Sequence, residues 1–180
     1  MPRSLPAYLI AALVVIQAPG AFAADSAVSP VKTIMDATVA NWAGGDSDWQ
    51  DMFDASHLRQ LFSADFIRGY QAAQNYPATE DGISPFDYDV IVGSQDACPL
   101  ENLTIVPGVA SGGKTEVVAR FQKSRCMGAD DAAASDAFTE VRFEVLTEGG
   151  KPVVDDILTT DDNGKPSSLK AAMQDIAKQP

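Results

Sequence analysis

Two stretches of alternation, the first interrupted only at Val118, constrain this chain more than any other feature. Val117, Ala119 and Phe121 are apolar while Glu116, Arg120 and Gln122 are polar, and Val141, Phe143 and Val145 repeat the pattern against Glu140, Arg142 and Glu144. A period of two sends successive side chains to opposite faces, so each stretch predicts an antiparallel strand with one buried and one wet face. Tyr88, Val90 and Val92 alternate as well, as do Leu103 and Ile105. Residues 153–159 form the last expected strand, joined to its predecessor through Glu148-Gly149-Gly150-Lys151.

Before Pro85 the period is helical. Ser29-Pro30 predicts a helix start, with Ser as cap and Pro at the first helical position. Val31, Ile34, Met35, Thr38, Val39 and Trp42 follow at helical spacing until Gly44-Gly45. An acidic connector spans 46–54. Residues 57–75 then read as helix, in two pieces if Ser63 is a second cap, with Leu58, Leu61, Phe62, Phe66, Ile67 and Tyr70 as its apolar stripe. Residues 168–178 predict a closing amphipathic helix. Helices segregated from an antiparallel sheet define the α+β class.

The first segment reads as an address. Arg3 gives a short positive start, residues 7–16 an apolar run, and Ala21-Phe22-Ala23 the small-x-small pattern of a signal peptidase site, with cleavage expected between Ala23 and Ala24. The expectation is a signal peptide over 1–23, a single α+β domain over 24–180, and a periplasmic or secreted location with no membrane span after cleavage. Cys98 and Cys126, the two cysteines of the chain, are then expected to form a disulfide, because export puts them where disulfides persist.

Composition excludes several functions. With 13 Lys+Arg against 25 Asp+Glu the formal net charge is −12. Nucleic acid is therefore not an expected partner, since its phosphates are repelled. Two cysteines and one histidine do not make a tetrahedral zinc site of the usual kind, and no metal or cofactor is expected.

Residues 108–115, GVASGGKT, fit the phosphate-loop pattern G-x-x-x-x-G-K-[ST]. That loop works at the start of a helix, where amides and dipole meet the phosphates. Here a strand pattern follows, and a glycine-rich hairpin loop is the better reading. Asp161-Asp162-Asn163-Gly164 resembles part of a calcium loop, but Thr159 and Lys170 fall where its first and last carboxylates belong, leaving an acidic turn. His57, three residues after Asp54, reads as a surface residue beside a helix cap rather than a general base. Lys114, Arg120, Lys123 and Arg125 form one basic stretch, with Glu140 and Glu144 as expected cross-strand partners.

Asp87, Asp89, Gln95 and Asp96 are the candidate ligand- or partner-binding residues. Carboxylates this close can position a cation or a ligand's hydroxyl group, or else cap the turns at the ends of one strand.

The run Phe86-Asp87-Tyr88-Asp89-Val90 followed by Gln95-Asp96 resembles the signature of an uncharacterised family of exported bacterial proteins, in which an Asp-x-Asp-Pro segment leads to a Gln-Asp pair. Val90 stands where that pattern has proline. Val154-Asp155-Asp156-Ile157 and Ser168-Leu169 resemble its closing segment. Such proteins are similar to the cone-shaped fold of nuclear transport factor two and ketosteroid isomerase. The resemblance implies N-terminal helices on a curved, cone-like antiparallel sheet, here with an added terminal helix. It does not settle function, since the fold hosts isomerases, dehydratases, binders and interaction modules. Isomerases of this shape use an Asp base and a Tyr or protonated Asp donor. Tyr70, Tyr88, Asp65 and Asp89 have suitable chemistry, but no motif assigns them those roles. The favoured expectation is a non-catalytic binding protein for a protein partner or a small ligand. The alternative is a small-molecule isomerase or dehydratase with an Asp base in the cavity, and a purely structural envelope component comes third.

Overall fold

Five strands in the order β1-β2-β3-β4-β5 form one antiparallel meander, and the helices pack on one face of it. The computed structural model describes residues 19–45, 48–80, 82–127, 136–160 and 165–179. The strands are β1 (Glu101–Pro107), β2 (Lys114–Gln122), β3 (Thr139–Glu148), β4 (Lys151–Thr160) and the short β5 (Pro166–Ser168). Four helices are described: α1 (Pro19–Asn41), α2 (Ala55–Leu61), α3 (Ala64–Ala73) and α4 (Leu169–Ile176). This is the α+β class read from the two periods. The expected export segment up to residue 18, most of the 128–137 loop and the 161–164 turn lie outside the described residues.

The alternating stretches form the centre of the sheet. Val117 pairs with Phe143 and Ala119 with Val141, and all four are buried, as is Phe121. The opposite face is wet along most of its length: Arg142 pairs with Glu116 and Glu140, and the Arg120 guanidinium lies 3.6 Å from the centre of the Phe138 ring. Gln122, expected on this face, is instead buried between Asn102 Nδ2 and Asp136 C=O. Cross-strand pairs of this kind each add a few tenths to about 1 kcal/mol. Core side chains stabilise the fold more. Phe66, Phe121, Phe143, Ile34, Met35 and Met173 are fully buried, each contributing roughly 1.5–3 kcal/mol.

Two expectations need correction. Helix α1 does not start at Ser29-Pro30; it begins at Pro19 and carries Pro30 in its interior. Proline costs a helix interior one hydrogen bond and a clash, which is why that pair reads as a start. The buried face spans it, with Ala27, Val31, Ile34 and Met35 one to two turns apart and all packed in the core. The expected cleavage point, Ala23/Ala24, falls within α1. The second correction concerns residues 88–92, which form a turn rather than a strand. Asp89 explains it: its Oδ1 accepts from the backbone N–H of Ile91 and Val92, and its C=O accepts from Gly93 N–H at 2.6 Å. Local carboxylate-to-backbone bonds offer the chain an alternative to a ladder.

The helix caps match the sequence pattern. Asp54 caps α2 by accepting from Ser56 and His57 N–H, and Ser63 caps α3 by accepting from Phe66 N–H. Ser168 caps α4 by accepting from Ala171 N–H. Both of the latter helices are also fastened to β4. Pairing slips between Glu144 and Val145, whose partners are Asp156 and Val154, so Asp155 is the extra residue of a bulge. Val154 and Ile157 both reach the core. The two aspartates between them serve the helix starts: Asp155 accepts from Ser63 Oγ at 2.8 Å, and Asp156 from Ser168 Oγ at 2.6 Å and Lys170 N–H at 3.0 Å. Lys114 and Lys170 close the charge balance, their Nζ atoms 2.8 and 3.1 Å from the two Asp155 oxygens.

Cys98 and Cys126 form the expected disulfide, with Cα atoms 5.5 Å apart. It ties the segment before β1 to the segment after β2, where Cys98 N–H also donates to Lys123 C=O at 2.8 Å.

Candidate functional site

The same Asp89 turn forms one wall of a cleft of about 590 Å³. The C-terminal half of α1 supplies Ile34, Thr38 and Asn41, with Trp42 just beyond its end; the connector before α2 supplies Trp49 to Phe53; the 84–95 loop supplies Phe86 to Ile91, Ser94 and Gln95; and Ile157 of β4 contributes from the sheet. The lining is mostly apolar and aromatic. That combination, with a few polar groups, is the usual character of a small-molecule site.

The aromatic residues meet as two edge-to-face corners. Trp42 and Trp49 have ring centres 5.9 Å apart, and Phe86 and Tyr88 6.0 Å apart. Phe53 continues inward from the cleft, stacked on Tyr70 at 4.8 Å. Trp49 is 58% exposed and Tyr88 42%, so two large rings stand open at a place where apolar surface is normally covered. Burial pushes the Tyr70 hydroxyl up to about 12 and moves that of Tyr88 in the same direction.

Polar groups hold the walls in place. Trp42 Nε1 donates to Asp89 Oδ2 at 2.8 Å, joining the end of α1 to the 88–94 turn across 47 positions. Asn41 grips the backbone of Gln50 from both sides: its Nδ2 donates to the C=O at 2.9 Å and its Oδ1 accepts from the N–H at 2.8 Å. Gln95 Nε2 donates to Asp87 Oδ2 at 3.2 Å, and Phe53 N–H donates to Asp51 Oδ1 at 2.8 Å. Behind the turn, Lys123 Nζ donates to Val92 C=O at 2.6 Å; burial holds this ammonium below its ordinary range.

Of the residues singled out from the sequence, Asp87, Asp89 and Gln95 line the cleft. Asp96 does not; its backbone N–H and C=O engage Ser94 Oγ in an exposed turn. The four isomerase-type residues are not brought together. Tyr88 and Asp89 line the cleft, Tyr70 is buried behind Phe53, and Asp65 lies at the start of α3, paired with Lys170 and Arg68. His57 does not line the cleft; its Nδ1 is 2.9 Å from the C=O of Asp51, which does, and 3.0 Å from Asp54 Oδ2. Lys114, the phosphate-loop lysine by pattern, starts a strand and is held by Glu144 and Asp155. Among the described residues no group of three His, Cys, Asp or Glu is placed to hold a metal ion, and no helix is long and apolar enough to cross a membrane.

Residue patterning does not reveal the other wall. Trp42 falls on the core stripe of the first helix, and Trp49 lies in an acidic connector. The available signal is that both tryptophans of the chain fall within eight positions, one of them among polar residues where no core pattern accounts for it. No protein-family model matches this chain, and neither a characterised protein nor a solved structure is detectably similar to it.

Proposed function

We propose that this is an exported protein that binds a small molecule in the cleft between α1 and the 84–95 loop, without transforming it. The observation that carries the reading is the cleft itself: about 590 Å³, walled by both tryptophans, Phe86 and Tyr88, with two of those rings exposed. Small-molecule sites are typically clefts of this size and character. Binding is favoured over isomerase or dehydratase chemistry because the inner carboxylate is already committed. Asp89 accepts from Trp42 and from two backbone amides, which leaves it a structural acceptor rather than a base poised to take a proton.

Export is supported by the residues of the N-terminal segment and by the disulfide, which suits an oxidising compartment. The likeness to the cone-shaped family belongs to the same proposal. Supporting it are the order of helices, antiparallel meander and closing helix, and the Asp156–Ser168 bond that joins two of the segments carrying the resemblance.

Native mass spectrometry of the protein released gently from its source envelope tests the reading. A mass excess of a few hundred daltons, lost together with a change in tryptophan emission on mild denaturation, is the expected result. A complex of protein size with unchanged emission overturns it in favour of a protein partner, toward which the net charge of −12 would steer basic surfaces.

A further inference from the structure

We infer that the ligand class is an organic cation, an alkylated ammonium carried on an apolar body. The inference rests on the reading of the cleft as a binding site, and it follows from what the lining offers after its own hydrogen bonds are counted. Sugars and carboxylates need donors aimed into the site. The Trp42 N–H and one N–H each of the Asn41 and Gln95 amides are spent on Asp89, Gln50 and Asp87 respectively, and the Thr38 and Ser94 hydroxyls donate to the Ile34 and Asp96 carbonyls. Accepting a hydrogen bond does not remove a carboxylate's negative charge, and Asp51, Asp87 and Asp89 all line the cleft.

Among the described residues, no Lys, Arg or His lines the cleft. The Lys123 ammonium, close enough to Asp89 to feel its charge, is turned to Val92 C=O. What the site presents is therefore a negative field and aromatic faces, which together attract a cation whose methyl groups cannot themselves donate hydrogen bonds. The Trp42 bond adds to this, because an indole N–H donating to a carboxylate makes its ring more electron-rich. Two edge-to-face corners, Trp42/Trp49 and Phe86/Tyr88, supply rings in different orientations, as a cation with several methyl groups requires.

The test uses the disulfide-intact protein and the emission of Trp42 and Trp49, titrated with three probes. They are choline; dimethylbutanol, in which a quaternary carbon replaces the ammonium nitrogen; and the uncharged apolar dye N-phenylnaphthylamine. Choline is expected to bind about tenfold more tightly than dimethylbutanol at low salt and to weaken as salt is added. Asp87→Asn, at an exposed position, is expected to reduce that preference while leaving the thermal midpoint unchanged. If dimethylbutanol or the dye binds as well as choline, the cation inference is overturned and the binding reading stands. If none of the three alters the emission, both fall.

Discussion

The Ser63 hydroxyl donates to the Asp155 carboxylate at 2.8 Å while accepting from Phe66 N–H, so one atom caps α3 and anchors that helix to a bulge 92 positions away. Asp155 is 4% exposed and is met from both sides by ammonium groups, those of Lys114 and Lys170. Burial alone raises a carboxylate's affinity for protons. Here the hydrogen bonds from Lys114, Ser63 and Lys170 outweigh burial and hold Asp155 below the ordinary carboxylate range. The knot joins α3, α4, β2 and β4, and Ile157, two positions further along β4, lines the cleft.

Asp155 is the buried member of this cluster, and its loss removes bonds from Ser63, Lys114 and Lys170 together. Lys114 and Lys170 keep Glu144 and Asp65 as second partners, so Asp155→Asn is expected to cost about 2–3 kcal/mol, and Ser63→Ala, which removes a cap and one bond to Asp155, about 1–2 kcal/mol. Urea unfolding followed by far-ultraviolet circular dichroism checks both. Equal costs would mean that the two lysines contribute little.

The same group gives the protein an acid limb. A carboxylate whose folded value is depressed contributes stability that is complete above its unfolded value of about 3.9 and is lost as pH falls through the lower folded value. Urea midpoints measured from neutral pH down to about pH 2 should fall through this window in the parent. In Asp155→Asn they should fall less. On the alkaline side Lys170 works in the opposite sense: burial lowers its affinity for protons, but Asp65 and Asp155 overcome that and raise it. Its contribution is present below its unfolded value of about 10.4 and is lost as pH rises through the folded one.

Reduction of Cys98–Cys126 reopens a loop closed across 28 positions. The chain-entropy argument puts the loss at about 3.5 kcal/mol. Because Cys98 follows the cleft loop by only a few residues, the reduced protein should also show faster amide exchange at residues 94–98. Unchanged exchange there would mean that the Lys123 contacts alone hold the segment.

Asp89→Ala strands three donors at once, Trp42 Nε1 and the N–H groups of Ile91 and Val92. Each buried donor left unpaired costs about 1–3 kcal/mol, less where water reaches it. A loss of about 2–3 kcal/mol is expected, with a red shift of tryptophan emission as the turn loosens from α1. A stability loss without that shift would place the cost elsewhere than at the Trp42 contact.

Much of the architecture is legible in the sequence because it depends on periodicity and caps. Val117, Ala119, Phe121, Val141 and Phe143 are buried because alternate residues of a strand share a face. Ser63, Asp54 and Ser168 cap helices because a short polar side chain reaches the first free amides. The failures have equally local reasons. At residues 88–92 the apolar alternation is present, but a carboxylate bonding its own backbone two and three residues on prevails over it. At Pro30 a local breaking tendency yields to the burial of Ala27 and Val31 on either side.

The sequence alone thus determined the class of fold, the position of the sheet, the disulfide pair and three of the cleft's polar residues. The disulfide follows from there being two cysteines in a chain read as exported, and the rest from spacing along the chain. Only the tertiary structure decided that Trp42 and Trp49 share a cleft with Phe86 and Tyr88, that Asp89 is Trp42's partner, and that Asp155 is an extra residue in β4 bonded to Ser63 at the start of α3 and to Lys170 of α4. The Trp42–Asp89 and Ser63–Asp155 bonds span 47 and 92 positions. Nothing in local propensity encodes them, because they arise only when the packing of α1 and α3 against β4 brings distant segments within hydrogen-bonding reach.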